Sequence, residues 1–213
     1  GLKVHCDDVG IEFLSSPFSL AAIDLLERVG VKRYKVGSGE VNNHLMLEYL
    51  AKIGKPVLLS SGMSSFDELD DSVALLKAFG IPLSIFQCTT SYPTQPENWG
   101  LNVISELKQR YRVPIGYSDH SGDIYACLFA AAQGAELFEF HSVFDKTMFG
   151  PDAKSSLTPA EVSTLVKGLR QYENSLLNPV DKTSNSQYSE LKGIFEKSLA
   201  VNKDLRTGHV LRL

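Results

Sequence analysis

Cysteine is scarce in this sequence. Cys6, Cys88 and Cys127 are odd in number and far apart, and no CxxC or other zinc spacing occurs. A disulfide framework and a cysteine-built zinc site are thereby excluded, and reduced thiols in a cytoplasmic protein are expected. Charge of one sign is not in excess either. Lys and Arg number 21 against 25 Asp and Glu, a net charge of −4, so no general affinity for nucleic acid or an anionic membrane is expected. No apolar run approaches the ~20 residues needed to span a bilayer, and no signal-peptide pattern is visible. Missing too is any GxGxxG or GxxxxGKS/T motif after the first strand-like segment, so a nucleotide-binding open sheet loses its best support.

What is present is an ordinary core-forming composition, 43% hydrophobic and 22% charged over 213 residues, enough to fill one domain. Short apolar segments rich in β-branched or aromatic residues alternate with helical patterns. Ile11–Leu14, Arg33–Val36, Pro56–Ser60, Leu83–Gln87, Pro114–Tyr117 and Glu136–Phe140 read as strands. Leu20–Val29, Asn43–Lys52, Phe66–Phe79, Leu101–Arg110, Asp123–Gln133 and Pro159–Glu173 read as helices. Ser64 or Ser65 can cap the third of these, with Asp67 and Glu68 in its first turn. Thr158-Pro159-Ala160-Glu161 reads as a capping box with proline at the first helical position. Gly30, Gly54, Gly80 and Gly134 fall at helix ends.

Strands apolar on both faces and separated by helices imply a parallel sheet covered by helices. Nearly every strand ends in polar residues: Ser15-Ser16, Ser38 and Glu40, Ser60-Ser61, Thr89-Thr90, Ser118 to His120, and His141. Polar ends on so many strands suit a (β/α)8 barrel, which brings them all to one mouth. Six βα units are visible where a barrel has eight. The opening Gly-Leu-Lys-Val-His-Cys reads like the middle of a helix, so the expected fold is an N-terminally truncated TIM barrel occupying residues 1–174. Residues 175–213 read as a linker, with a helix over Tyr188–Leu199, and the approach to another domain from Val201.

Several strand ends carry groups with chemical use. Lys35 and Ser38, set among glycines, suit a phosphate. Glu40 can handle a proton. Ser60 can donate to an oxyanion, although a plain serine turn explains the same residues. Cys88, Thr90 and Tyr92 share a face if the strand stays extended, and hydroxyls with one aromatic suit a polyol. Ser118 and His120 share a face by the same period-two rule, as do Glu139 and His141. Two imidazoles at matching strand ends, with carboxylates nearby, suit a divalent metal. A hydrogen-bonded core histidine is the competing reading for each. Asp152 lies in a Gly-Pro-Asp turn that needs no function to explain it.

Taken in order, Phe13-Leu14-Ser15-Ser16-Pro17-Phe18, Lys35-x-x-Ser38-Gly39-Glu40, Ser60-Ser61-Gly62-Met63, Cys88-Thr89-x-x-Tyr92-Pro93, Gly116-Tyr117-Ser118-Asp119-His120, Glu139-x-His141 and Gly150-Pro151-Asp152 resemble the N-acetylneuraminate (sialic acid) synthase family, which includes synthases of related nonulosonic acids. The resemblance implies a (β/α)8 barrel followed by a small antifreeze-like domain, whose approach Lys197–Gly208 is similar to. It implies condensation of phosphoenolpyruvate with N-acetylmannosamine or a related N-acyl amino sugar, giving a nonulosonic acid and phosphate. Ser16, Lys35, Ser38, Ser60 and Ser118 would hold phosphoenolpyruvate. His120 and His141 would bind the metal, usually Mn²⁺, with Glu139 orienting it or its water. Thr90, Tyr92 and Asp152 would hold the acceptor sugar, and Glu40 would be the acid/base.

The resemblance also implies a homodimer of the full-length protein, in which the second domain lends an arginine to the partner's site. Ala153 departs from the family's common histidine. The family's first two strands, with another phosphate-binding lysine, have no counterpart here, so the chain as given is expected to be inactive alone. Two rivals remain: another phosphoenolpyruvate-dependent or aldolase-type barrel acting on a sugar phosphate, and a non-catalytic barrel scaffold.

Overall fold

The structure, a computed structural model, describes residues 1–210. Its elements run in the order α1 (Leu2–Asp8), α2 (Leu20–Val29), β1 (Tyr34–Val36), α3 (His44–Ile53), β2 (Val57–Ser60), α4 (Phe66–Ala78), β3 (Leu83–Cys88), α5 (Leu101–Tyr111), β4 (Ile115–Asp119), α6 (Tyr125–Ala132), β5 (Leu137–Ser142), β6 (Ser156–Leu157), α7 (Pro159–Leu177) and α8 (Ser189–Phe195). The strands form one sheet in the order β1-β2-β3-β4-β5-β6, every neighbouring pair parallel. Sequential parallel strands with intervening helices make this an α/β, TIM-barrel-like fold, a six-strand half-barrel. Gly1–Glu173 forms one compact unit and Asn174–Leu213 a second. Within the second, α8 is shorter than the helix expected over Tyr188–Leu199. Part of the approach expected from Val201 onward, residues 211–213, lies outside the described residues.

Local chemistry explains the helix starts. Ser65 Oγ accepts from the Glu68 N–H while Glu68 accepts from the Ser65 N–H, a complete capping box for α4. Thr158 and Glu161 make the same reciprocal pair for α7. Ser19 caps α2 through the Ala22 N–H. Each closes donors that a helix leaves open at its N-terminus. The strands are buried along their whole length in β1, β2 and β4, as a sheet covered on both faces requires. Leu59, Ile85 and Ile115 have no exposed surface, and burying such a side chain contributes roughly 1.5–3 kcal/mol.

Two strand assignments differ from the sequence reading. Ile11–Leu14 forms no strand. Just past the segment, the Lys35 N–H on β1 donates to the Ser15 carbonyl at 3.4 Å, but one bond is not the ladder a strand needs. The sixth strand is instead Ser156–Leu157, two residues long. It is too short to show a period, yet Leu157 is fully buried and pairs with Ser142. Among the described residues no helix is long and apolar enough to cross a membrane.

Candidate active site

The strand register sets the site. Cys88 lies opposite Ser118, and Ser118 opposite Glu139, so these three side chains form one row across β3, β4 and β5. Ser60 lies opposite Phe86, and Lys35 opposite Leu58. The C-terminal strand ends therefore converge on a cavity of about 250 Å³ lined by Ser16, Lys35, Ser38, Ser60, Tyr92, Ser118, His120, Glu139 and His141, with Gly37, Cys88 and Phe140. Nine side chains proposed from the sequence share one cavity. Three do not line it: Glu40, Thr90 and Asp152.

Lys35 is the cation of the cavity. Its ammonium donates to Ser60 Oγ at 2.9 Å, lies 3.1 Å from Glu139 Oε2 and sits 5.3 Å from the centre of the Phe86 ring. Buried lysine is costly unless paired, and here three neighbours hold it. Ser38 comes from the short 3-10 turn Ser38–Glu40 that follows β1. Its hydroxyl occupies space that a side chain at Gly62 would fill: a Cβ there would fall 2.5 Å from Ser38 Oγ. Gly62 is thus glycine because of a close approach.

His120 is nearly buried and held from two sides. Its Nδ1 lies 3.0 Å from the Thr89 carbonyl and 2.9 Å from Thr89 Oγ1. A carbonyl only accepts, so Nδ1 carries the proton and Nε2 offers a lone pair. Tyr92 OH donates to that Nε2 across 3.1 Å. Burial, and next the neighbouring His141, lower the His120 pKa below the ordinary imidazole value. The ring is accordingly neutral, the form that ligates metals. Burial also raises the Tyr92 phenol, with Cys88, Asp152 and Glu139 adding to the effect, so it remains a donor. His141 stands with its ring centre 5.1 Å from that of His120, and its Nδ1 is 3.8 Å from Asp152 Oδ2. Asp152 thus faces His141 from the loop after β5.

The residues outside the cavity have physical explanations. Glu40 accepts a 2.7 Å hydrogen bond from the Asn43 side chain. β3 ends at Cys88, so alternation no longer governs Thr90, which lines an adjacent cavity with Gly62 and Asn98. Sequence reasoning missed Thr89, whose carbonyl fixes the His120 tautomer, and Phe86 beneath Lys35. No local pattern announces either contact.

Among the described residues, no group of three or more His, Cys, Asp and Glu side chains is arranged to hold a metal. The His120 and His141 rings nonetheless stand at the separation that two ligands of one ion would have. Rings bound through one nitrogen at right-angled to tetrahedral positions have centres about 4.5–5.5 Å apart, and the observed 5.1 Å falls within that range. The donor set therefore fits a divalent ion that takes its remaining ligands from water or substrate.

The profile of the NeuB family matches residues 1–181. The chain belongs to the NeuB family. It is 35% identical over 212 residues to the N,N'-diacetyllegionaminic acid synthase of Campylobacter jejuni, covering 98% of this chain and 63% of that one. It is 39% identical over 179 residues to the N-acetylneuraminate-9-phosphate synthase of Homo sapiens, covering 84% and 50%. Among solved structures, the N-acetylneuraminic acid synthetase of Leptospira borgpetersenii in complex with citrate superposes with a TM-score of 0.82 at 32% identity, covering 91% of this chain and 67% of that one. This NeuB-family chain thus spans about half to two-thirds of the length of these curated relatives.

Proposed function

We propose that this NeuB-family chain carries the phosphoenolpyruvate and metal sites of a nonulosonic acid synthase. The reaction is condensation of phosphoenolpyruvate and water with an open-chain N-acyl amino sugar, N-acetylmannosamine or a close relative, releasing inorganic phosphate. One observation carries this reading: Lys35, Ser38, Ser60 and Ser118 open onto the same cavity as His120, Glu139 and His141. Such a cavity suits a small polyanion, which needs a cation and aligned donors.

Lys35 and the serine hydroxyls, Ser16 included, hold the phosphate and carboxylate of phosphoenolpyruvate. His120 and His141 would hold the divalent metal, Mn²⁺ in this proposal, and Glu139 would help to orient it. Bound there, the ion would supply Lewis acidity to the acceptor aldehyde. Tyr92 and Asp152 reach the acceptor hydroxyls from the mouth, and Thr90 from its edge. C3 of phosphoenolpyruvate attacks the aldehyde carbon, C2 takes up water, and phosphate leaves with C–O cleavage. Glu40 is the proposed acid/base near C3, a role that requires its carboxylate to turn away from Asn43. A cytoplasmic homodimer completed by an antifreeze-like domain belongs to the same proposal.

The test is phosphate release by the intact protein with phosphoenolpyruvate, Mn²⁺ and a panel of free hexosamines. Release that depends on N-acetylmannosamine and stops with EDTA is the expected result. Release only with a deoxygenated diamino sugar keeps the mechanism and changes the acceptor. Release only with a sugar phosphate moves the reading to a sugar-phosphate-using barrel, and no release with any sugar overturns it.

A further inference from the structure

Lys35 is already paired in this structure, and its partners differ in one respect. The Lys35 side chain is 8% exposed and that of Glu139 42%. Ser60, which accepts from the ammonium at 2.9 Å, is buried. Phe86, whose ring lies under the ammonium, is buried too. That ring is fixed by Gly116 on β4, where a Cβ would fall 2.5 Å from a ring carbon. The ammonium is thus held from below and from the side by buried, closely packed groups. Glu139 alone among its three neighbours has solvent to turn into. An ammonium has three donors; Ser60 accepts from one, and Glu139 pairs with the charge at 3.1 Å.

A multiply charged anion entering this cavity meets a cation whose charge is already met 3.1 Å away. Anion and carboxylate at such range repel, and both compete for one ammonium. Glu139 stands opposite Ser118 in the strand register, so it also lies beside a hydroxyl that the anion would use. We propose that Glu139 is the built-in counter-ion of the anion site: it neutralises Lys35 until a phosphate-bearing ligand displaces it. Glu139 is then a positioning residue that sets how much charge a ligand must bring. A singly charged anion gains little by exchange, whereas a phosphate or phosphoenolpyruvate carries enough charge to win Lys35. The inference rests on the proposed function only for the identity of the anion.

The experiment titrates inorganic phosphate into the intact protein by calorimetry, without metal, for the natural sequence and for Glu139→Gln. The amide keeps the size and removes the charge. Phosphate is expected to bind about tenfold tighter to the variant, and the gain should vanish when Glu139→Gln is made on a Lys35→Met background. Glu139→Asp, with one methylene less reach, should shift affinity the same way by less. Equal or weaker phosphate binding by Glu139→Gln overturns the inference, as does a gain that persists without Lys35. Phosphoenolpyruvate is titrated alongside. If it binds no better than phosphate while the gain is present, the counter-ion stands and the substrate reading falls. If it binds tightly and equally to both proteins, the substrate reading stands and the counter-ion falls. In turnover, a lower KM for phosphoenolpyruvate together with a lower kcat is the expected split.

Discussion

The two sides of the cavity are built differently. On the side of β1, β2 and β4, Lys35, Ser60, Ser118 and His120 are all buried, and Lys35, Ser60 and His120 are bonded at ordinary hydrogen-bond distances. On the side of β5 and the loop after it, Glu139, His141 and Asp152 are half-exposed, and the His141–Asp152 contact is 3.8 Å. Phe144 and Phe149, in the same loop, lie open to solvent. The first side is pre-organised, so a ligand group docking there has little ordering to do. The second is a set of partners at a distance that ligand or metal must draw together.

The sharpest way to break this comparison is His120→Ala, which removes the one proposed ligand anchored on the rigid side. Metal-dependent turnover of the intact protein should fall by about 10³-fold or more. Undiminished turnover with Mn²⁺ would show that the buried side carries no metal ligand. Asp152→Asn tests the open side. Its carboxylate orients His141 only loosely before a metal binds, so Mn²⁺ affinity, followed by electron paramagnetic resonance, should weaken by about 10–100-fold. A loss confined to KM for the sugar would instead assign Asp152 to the acceptor alone.

Gly62→Ala asks how little the rigid side tolerates. Gly62 does not use the left-handed region, so the added methyl acts through its neighbours: chiefly Ser38, whose hydroxyl stands 2.5 Å from its place, and secondarily Thr90, whose methyl stands 3.2 Å away. Overpacking of this kind costs about 1–3 kcal/mol. KM for phosphoenolpyruvate should rise about tenfold with a smaller change in kcat. An unchanged KM would remove Ser38 from the anion site.

The smallest effect is expected far from the mouth, between α4 and α5, where Arg110 pairs with Asp70. The guanidinium hydrogen bond holds the Asp70 carboxyl down at about 2. A folded-state value below the ordinary one, about 4, means that the pair stabilises the fold above that ordinary value and loses its contribution as pH falls toward 2. Asp70→Asn should therefore be slightly less stable than the natural protein at neutral pH. In urea melts the difference should close between about pH 4 and pH 2. A gap that stayed constant with pH would mean that the pair does not act through charge.

Much of the candidate site was legible because strand ends in this fold carry chemistry and period-two alternation holds inside a strand. Ser118 with His120, and Glu139 with His141, line one cavity as the rule expects, although Phe140 between the latter two reaches it as well. The rule stopped with the strand: Thr90, two residues beyond the end of β3, lies in the adjacent cavity. Glu40 follows β1 in a 3-10 turn, where its carboxylate finds Asn43. Ile11–Leu14 had a strand's composition without a strand's neighbours, and Ser156–Leu157 had the neighbours without a recognisable composition.

The amino-acid sequence by itself determined what depends on neighbours a few residues apart. The capping boxes at Ser65 and Thr158, the alternation of helix with buried strand, and the placing of polar groups at strand ends all arise from local hydrogen bonding and side-chain period. Tertiary structure alone decided which strand ends meet. Lys35 from β1 and Glu139 from β5 share a charge contact because the sheet curves, and the His120 tautomer is set by a carbonyl delivered from the end of the neighbouring strand. Such pairings follow from the curvature and register of the whole sheet, which depend on packing across its entire width.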